Sequence, residues 1–334
     1  MKKADMVIDL QFGSTGKGLI SGYLAQTRPY DTVVNANMPN AGHTYIDKNG
    51  KKFIHKVLPN GIVGNHVQNC MIGPGSVFSV EQLEKELFHA ALEMANIRLV
   101  IHENAVILRP EHAEVERNTL SRISSTMQGS AAAMIEKINR VPGICAKDVL
   151  KGTSFENCVV SNNEWLEIMH MSDKILIEGA QGYSLGINAG FYPYCTSRDC
   201  TPARFLADCG VPHGFLAKVI GTLRVHPIRV GSTTDGYSGD VYPDQEELSW
   251  DDIGDSGVEP ELTTVTKRKR RVFSFSMLQF HEAVLACQPD ELFLNFMNYD
   301  KNKSMQVCRE ICKTGVPIIY QGWGPSFHNV KEFA

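Results

Sequence analysis

The sequence predicts an α/β fold with a largely parallel sheet. Short apolar runs of strand length alternate along the chain with stretches of helical periodicity, the pattern left by strand–helix–strand units. Several of the strand-like runs are almost continuously apolar, as strands covered on both faces are. The scale fits: 334 residues, 43% of them hydrophobic, suffice for one large core.

In chain order, "MVIDL", "DTVVNAN", "IRLVIHENAVIL", "KILIEGA", "LAKVIGTLRV", "ELFLNFMN" and "VPIIYQG" read as strands. "VEQLEKELFHAALEMAN", "PEHAEVERNTLSR", "AAAMIEKINR", "PARFLADCG", "FSMLQFHEAVLAC" and "SMQVCREICKTG" carry the helical period. No repeat or low-complexity linker divides the chain, which reads as one domain over residues 1–334. From Asp235 to Glu261 there are ten acidic residues and no Lys or Arg, with Pro and Gly interspersed; this predicts a solvated loop excursion.

A net charge of −4 argues against a general nucleic-acid binder. No signal-peptide pattern and no apolar run long enough to cross a bilayer is present, so a soluble, intracellular protein is expected. The nine cysteines lack metal-ligand spacing and are expected to be reduced and mostly buried.

Five stretches are too polar and too glycine-rich, or too basic, for mere connections. "GSTGKG", residues 13–18, follows a strand and opens a helix, so its amides and the helix dipole can face an anion. It is not a Walker A loop, because Gln11 and Gly18 stand where that motif has its first Gly and its Ser or Thr. A tight turn with a surface lysine is an equal reading of this stretch alone. "NAGHT", residues 40–44, sets His43 behind a small, permissive turn, where it can donate to a ligand. "EGAQG", residues 178–182, ends a strand, and its Gln181 is equally a ligand contact or a surface residue of a turn. "YPYCTSRD" means little in isolation. "TVTKRKRR", residues 264–271, has the composition of a nucleic-acid patch, yet it lies inside the chain before a helix, and Arg also binds carboxylate or phosphate bidentately.

Together and in register these stretches resemble the adenylosuccinate synthetase family, whose marks are a Gly-Asp-Glu-Gly-Lys-Gly loop, Asn-Ala-Gly-His-Thr, Glu-Gly-Ala-Gln-Gly, Tyr-Pro-Tyr-x-Thr-Ser and an arginine run. The resemblance implies a large central, mostly parallel sheet with surrounding helices, and a homodimer. It also implies a two-step reaction, in which the purine 6-oxygen takes the γ-phosphoryl group of a nucleoside triphosphate and the amine of L-aspartate displaces it.

By the resemblance, Ser14, Lys17 and His43 stand at the catalytic positions. Gly13, Thr15, Gly16, Lys17, Gly18, Gly42, His43, Thr44, Asn298, Gly322, Gly324 and Pro325 fall where the family binds the triphosphate. Ser14, Asn40, Thr126, Arg140, Gln181, Thr196, Val230 and Arg268 fall at the substrate nucleotide, with Arg140 reaching the site of the partner subunit. Thr264, Val265, Thr266, Arg268 and Arg270 match the aspartate clamp. Mg2+ is the implied cofactor, with the Gly42 carbonyl as a ligand and the Ser14 hydroxyl as a doubtful one.

Two departures sharpen this. The family has Asp where this chain has Ser14 and Glu where it has Thr15. A serine hydroxyl is not basic near neutral pH and is a weaker metal ligand. It also removes bulk and charge beside purine C2, where guanine carries an amino group that hypoxanthine lacks. The same serine marks the bacteriophage branch of the family, which acts on dGMP to supply diaminopurine-containing DNA in the host cytoplasm. Second, Phe296 and Asn298 replace the family's Lys-x-Asp, whose Asp accepts two hydrogen bonds from guanine. An amide offers one acceptor and one donor, which fits adenine and implies ATP or dATP as the phosphate donor. The alternatives are an ordinary family member acting on IMP with GTP, and a nucleic-acid-binding protein using residues 267–271.

Overall fold

The computed structural model describes residues 2–234, 236–254, 257–263 and 267–333; Thr264, Val265 and Thr266 of the expected aspartate clamp lie outside them. The central sheet is built from β1 (Ala4–Asp9), β2 (Thr32–Asn35), β3 (Asn69–Ile72), β4 (Arg98–His102), β5 (Val159–Val160), β6 (Ile175–Glu178), β7 (Leu216–Arg224), β8 (Glu291–Asn295), β9 (Ile318–Gly322) and β10 (Val330–Glu332). Its spatial order is β10-β9-β8-β7-β1-β6-β2-β3-β4-β5, and each pairing is parallel except β9 with β10. The largely parallel α/β sheet is thus present.

All six residues of β1 are buried, and they alternate between two cores. Met6 and Ile8 pack on one face with Ile175 and Ile177, under Phe205, Phe280 and Ile311 from the covering helices. Val7 and Leu176 point to the other face and meet Leu19, Ile20 and Leu24 of α1 (Lys17–Thr27). A parallel strand buried on both faces gains from apolar side chains at every position, which is why these runs were readable.

Short, mixed segments were not. β3, β5, the hairpin of His43–Ile46 with Lys52–His55 and the helix Asn162–Met171 have no strong period of their own. "IRLVIHENAVIL" is not one strand but two: after His102 the chain turns, with the Asn104 amide donating to His102 Nδ1 at 3.0 Å, and Val106–Ile107 pairs with Val77–Phe78 instead.

The acidic stretch departs from a purely solvated excursion. Glu247–Leu248 pairs with Arg271–Phe273, which pairs in turn with Ile228–Arg229, in a separate three-stranded antiparallel sheet. Trp250 and Ile253 from the acidic stretch are buried against Ile228 and Val272. Its few apolar residues make a small core of their own, while Arg271 pairs with Glu247 at 2.7 Å.

In open α/β sheets ligands sit beyond the carboxyl ends of the strands. Four neighbouring strands, β8, β7, β1 and β6, end in Asn295, Arg224, Asp9 and Glu178, and their following loops meet at this edge.

Candidate active site

The loop after β1 is organised from within by Asp9, which is 1% exposed. Its carboxylate accepts the amides of Gln11 (2.8 Å), Gly13 (3.1 Å) and Thr15 (3.2 Å), the Thr15 hydroxyl, and the Lys17 ammonium at 3.2 Å. Lys17 also donates to the carbonyls of Gly13 (3.0 Å) and Gln181 (2.7 Å). Gly16 adopts φ +95° at the start of α1, and a side chain there would collide with Asn295. The amides of Gly16, Lys17 and Gly18 donate to no group among the described residues, leaving a helix N-terminus open to an anion. Residues 16–18 thus have the free amides that a phosphate loop uses. The amides of Gly13 and Thr15 point inward to Asp9, and the Thr15 hydroxyl is shared with Thr222 inside the protein, so Thr15 does not face the cleft.

His43 is 7% exposed and stands across the cleft from this loop. Its Nδ1 lies 2.5 Å from Glu178 Oε1, and Glu178 Oε2 accepts the Asn60 amide at 2.9 Å. A carboxylate on Nδ1 fixes the ring orientation and leaves Nε2 for a ligand.

Three recesses join into one trench. The largest of the three, about 460 Å³, is lined by Gly16, Lys17, Gly18, Gly42 and Thr44 together with Phe296, Asn298, Gly324 and Pro325. It shares Gly13, Ser14, Gly42, His43 and Arg270 with a central recess of about 130 Å³. The central recess shares Asn40, Thr126, Gln181, Arg229 and Val230 with a third, of about 120 Å³, which also has Thr196 in its wall. Ser14 and His43 thus sit where the large and the central recess meet. Gln181 holds φ +61°, a left-handed backbone that presents its carbonyl to Lys17. Asn40 donates to the Thr196 hydroxyl at 3.3 Å, while its Oδ1 is buried and unpartnered among the described residues.

The basic run is turned inward. Arg268 donates to the carbonyls of Ser124 (3.2 Å) and Ser125 (3.3 Å), and Arg271 is paired with Glu247. Arg270 lines both the large and the central recess, with its Nε unpartnered among the described residues. Burial, reinforced by Arg224, lowers its pKa to about 10, which still leaves it charged at neutral pH. Lys267 and Lys269 remain exposed. This geometry does not present the contiguous surface patch that a nucleic-acid-binding run requires. Arg268 reaches the loop before Thr126 but does not line the recesses. Gly322 lies behind the cleft, against the Asn295 amide group. Arg140, exposed with φ +59°, is on a separate surface beside Lys137 and Arg204 and does not enter the trench of its own subunit.

Four charged residues of the site escaped the sequence reading: Asp9, Glu178, Arg224 and Arg229. Arg229 lies in the central recess, 4.8 Å from the Phe12 ring, and donates to the Tyr194 carbonyl at 3.0 Å; burial, then Arg271, lowers its pKa to about 10. Their signal was a charged residue closing, or following, an apolar strand.

A sequence model of adenylosuccinate synthetase matches residues 6–169 and 155–320. The chain belongs to the adenylosuccinate synthetase family. Within the family it is 51% identical to the N6-succino-2-amino-2′-deoxyadenylate synthase of Vibrio phage phiVC8, over 99% of this chain and 98% of that protein. It is 29% identical to the adenylosuccinate synthetase of Methanococcus aeolicus, over 98% of each. The structure of the Cyanophage S-2L succinoaminodeoxyadenylate synthetase, bound to dGMP and dATP as an energy donor, matches with a TM-score of 0.92 at 35% identity, covering 99% of this chain and 95% of that one. The fully ligated adenylosuccinate synthetase of Plasmodium falciparum shares the family fold, with a TM-score of 0.80 at 18% identity.

Proposed function

We propose that the chain is a ligase joining L-aspartate to C6 of dGMP, with ATP or dATP as phosphate donor, to give 2-amino-2′-deoxy-N6-succinyladenylate for diaminopurine-containing DNA. The observation that carries this reading is the central recess: Ser14 is at its junction with the donor arm, and no Asp or Glu among the described residues lines it. Guanine then meets a small, neutral side chain beside C2. The phage relatives, named for this product, and the neighbour bound to dGMP and dATP support it.

In the first step the purine 6-oxygen attacks the γ-phosphorus, the bond to the β-phosphate oxygen breaks and the N1 proton passes to water. In the second the aspartate amine bonds to C6 and gives up a proton, the C6–O bond breaks and inorganic phosphate leaves carrying that proton. Lys17 and the amides of residues 16–18 hold the transferring phosphate, and His43, braced by Glu178, donates from Nε2 toward the 6-oxygen and that phosphate. Asn40, Gln181, Thr196, Thr126 and Val230 surround the nucleotide, and Arg270 offers its free fork to a carboxylate of aspartate. The proposed assembly is a homodimer in the host cytoplasm, Arg140 completing the partner's site; no helix among the described residues is long and apolar enough to cross a membrane.

Mg2+ fits this donor set with most of its ligands from phosphate and water: the Gly42 carbonyl accepts no hydrogen bond among the described residues, and Gly42 and Ser14 both line the large and the central recess. Bound there, the ion neutralises charge on the phosphates.

Phosphate release and product mass with dGMP, GMP or IMP, each with aspartate and ATP, test the reading. dGMP is expected to be the preferred acceptor; preference for IMP would refute the dGMP assignment.

A further inference from the structure

Arg224 closes β7 at the centre of the sheet edge and is 1% exposed. Its main chain is clasped by Gln11, whose Oε1 accepts the Arg224 amide at 3.0 Å and whose Nε2 donates to the Arg224 carbonyl at 3.2 Å. The guanidinium faces three parts of the site at once. Nη1 donates to the Ser14 carbonyl at 3.1 Å and to Glu261 Oε2 at 3.3 Å, and Nη2 donates to Glu261 Oε1 at 2.5 Å. Its Cζ lies 3.8 Å from the centroid of the Phe296 ring, which lines the large recess. Tyr299 meets Phe296 edge-on at 5.2 Å and donates its hydroxyl to Glu261 at 2.9 Å.

Each contact belongs to a different substrate's region. Phe296 lines the large recess two residues from Asn298, the residue read above as the partner of the donor base. Ser14 is at the junction with the acceptor recess. Glu261 opens the hairpin that carries the arginine clamp: Leu262 bridges Lys269, and the Arg270 amide donates to the Glu261 carbonyl at 2.9 Å. Burial works against ionisation of Glu261, but the Arg224 charge and fork outweigh it and hold its carboxyl below the ordinary range. The pair is therefore ionised, and a bidentate fork is rigid in direction as well as strong.

We infer that Arg224 is a positioning residue that couples donor binding to the acceptor loop and the aspartate hairpin, with Phe296 as the stacking platform through which the donor base acts on it. The inference rests on the ligase reading above. A purine seated on the free face of Phe296 presses the ring against the guanidinium, a cation–π arrangement that strengthens as water leaves. Fixing the guanidinium fixes both groups its fork holds. The donor thus binds more tightly when acceptor and aspartate are present, and by reciprocity aspartate binds more tightly when the donor is present.

Calorimetry measures this without turnover. The affinity of L-aspartate is measured with the native protein and dGMP, in the presence and absence of the non-hydrolysable donor AMP-PNP, and again with Phe296→Leu and Arg224→Lys. In the native protein the donor is expected to tighten aspartate binding at least fivefold. In Phe296→Leu, which keeps the ion pair, and in Arg224→Lys, which keeps the charge but loses the fork, that factor falls below twofold. A merely structural role would lower thermal stability and weaken each ligand without changing the factor. A native factor near one, or a factor unchanged in either folded variant, overturns the inference. Should Arg224→Lys not fold, Phe296→Leu alone decides. Absence of product from dGMP, aspartate and ATP would instead count against the ligase reading, since the binding factor is measured separately.

Discussion

Replacing Glu178 by Gln removes a charge and one acceptor and leaves shape almost unchanged. Both carboxylate oxygens are engaged, one by His43 at 2.5 Å and one by the Asn60 amide at 2.9 Å, and the side chain is 1% exposed. Glutamine has a single acceptor oxygen. If it stays with the Asn60 amide, its NH2 group faces His43 Nδ1, which must then give up its proton. The ring can still donate from Nε2, but without a carboxylate behind it. A hydrogen bond to a charged group is worth about 1.5–3 kcal/mol. At about 1.4 kcal/mol per tenfold in rate, kcat should fall by roughly 10- to 100-fold. Steady-state phosphate release with dGMP, aspartate and ATP reads this directly, with the KM values for dGMP and ATP staying within about threefold because His43 leaves ground-state contacts intact. A folded Glu178→Gln protein with kcat within threefold of the native value would show that the carboxylate does not support His43 in the reaction.

The acceptor and donor assignments have their own tests. Ser14→Asp should lose dGMP as substrate because bulk and charge return beside C2; equal use of dGMP by the variant would remove the reason given for the serine. Asn298→Asp should weaken ATP by about 1–3 kcal/mol through loss of a base pairing, read as a KM increase for ATP; a native protein that prefers GTP would dismiss this role. Mixing Arg140→Ala with His43→Ala should restore part of the activity through hybrid dimers with one intact site, and no recovery from two folded, dimeric variants would end the shared-site proposal. His55 and His226 are buried, and burial, in the case of His226 aided by Arg224, pushes each down to about 4. The unfolded chain takes up these protons near the ordinary value of about 6.5. Stability should therefore be flat above pH 7 and fall as pH drops from about 6.5 toward 4, by about 2 kcal/mol per histidine at pH 5. Denaturant midpoints of the native protein and His226→Gln at pH 7 and pH 5 compare this slope, and identical slopes would exclude His226 as a contributor.

What the sequence revealed depended on how each residue stands to its neighbours. Lys17, His43 and Gln181 follow strands inside small-residue turns, so their motifs advertised them. Asp9, Glu178 and Arg224 end apolar strands, and a charged residue there is equally consistent with a strand emerging into water. Only the sheet order, with β7, β1 and β6 side by side, turns three separate strand ends into one charged edge. The inward turn of Arg268 and Arg271 is likewise invisible in a run of like charges, because their partners are carbonyls and a carboxylate distant in sequence. Trp250 and Ile253 were hidden by the acidic residues around them, although two apolar side chains sufficed to seat the segment on a small sheet. Arg140 read as part of a site, and in its own subunit it is on another surface.

Asp9 fills the inner face of the loop with the chain's own carboxylate, and this changes when the loop loses its freedom. Fixing a residue's backbone costs about 1–2 kcal/mol of conformational entropy. For Gly13 and Thr15 that loss is incurred during folding, since their amides are already engaged before any ligand arrives. In the proposed function a triphosphate meets a finished edge rather than a strand of chain it must first wind around itself, and the side chain that finishes that edge, Asp9, is sealed beneath the surface the ligand touches. The loop behaves as a berth whose shape is settled at folding.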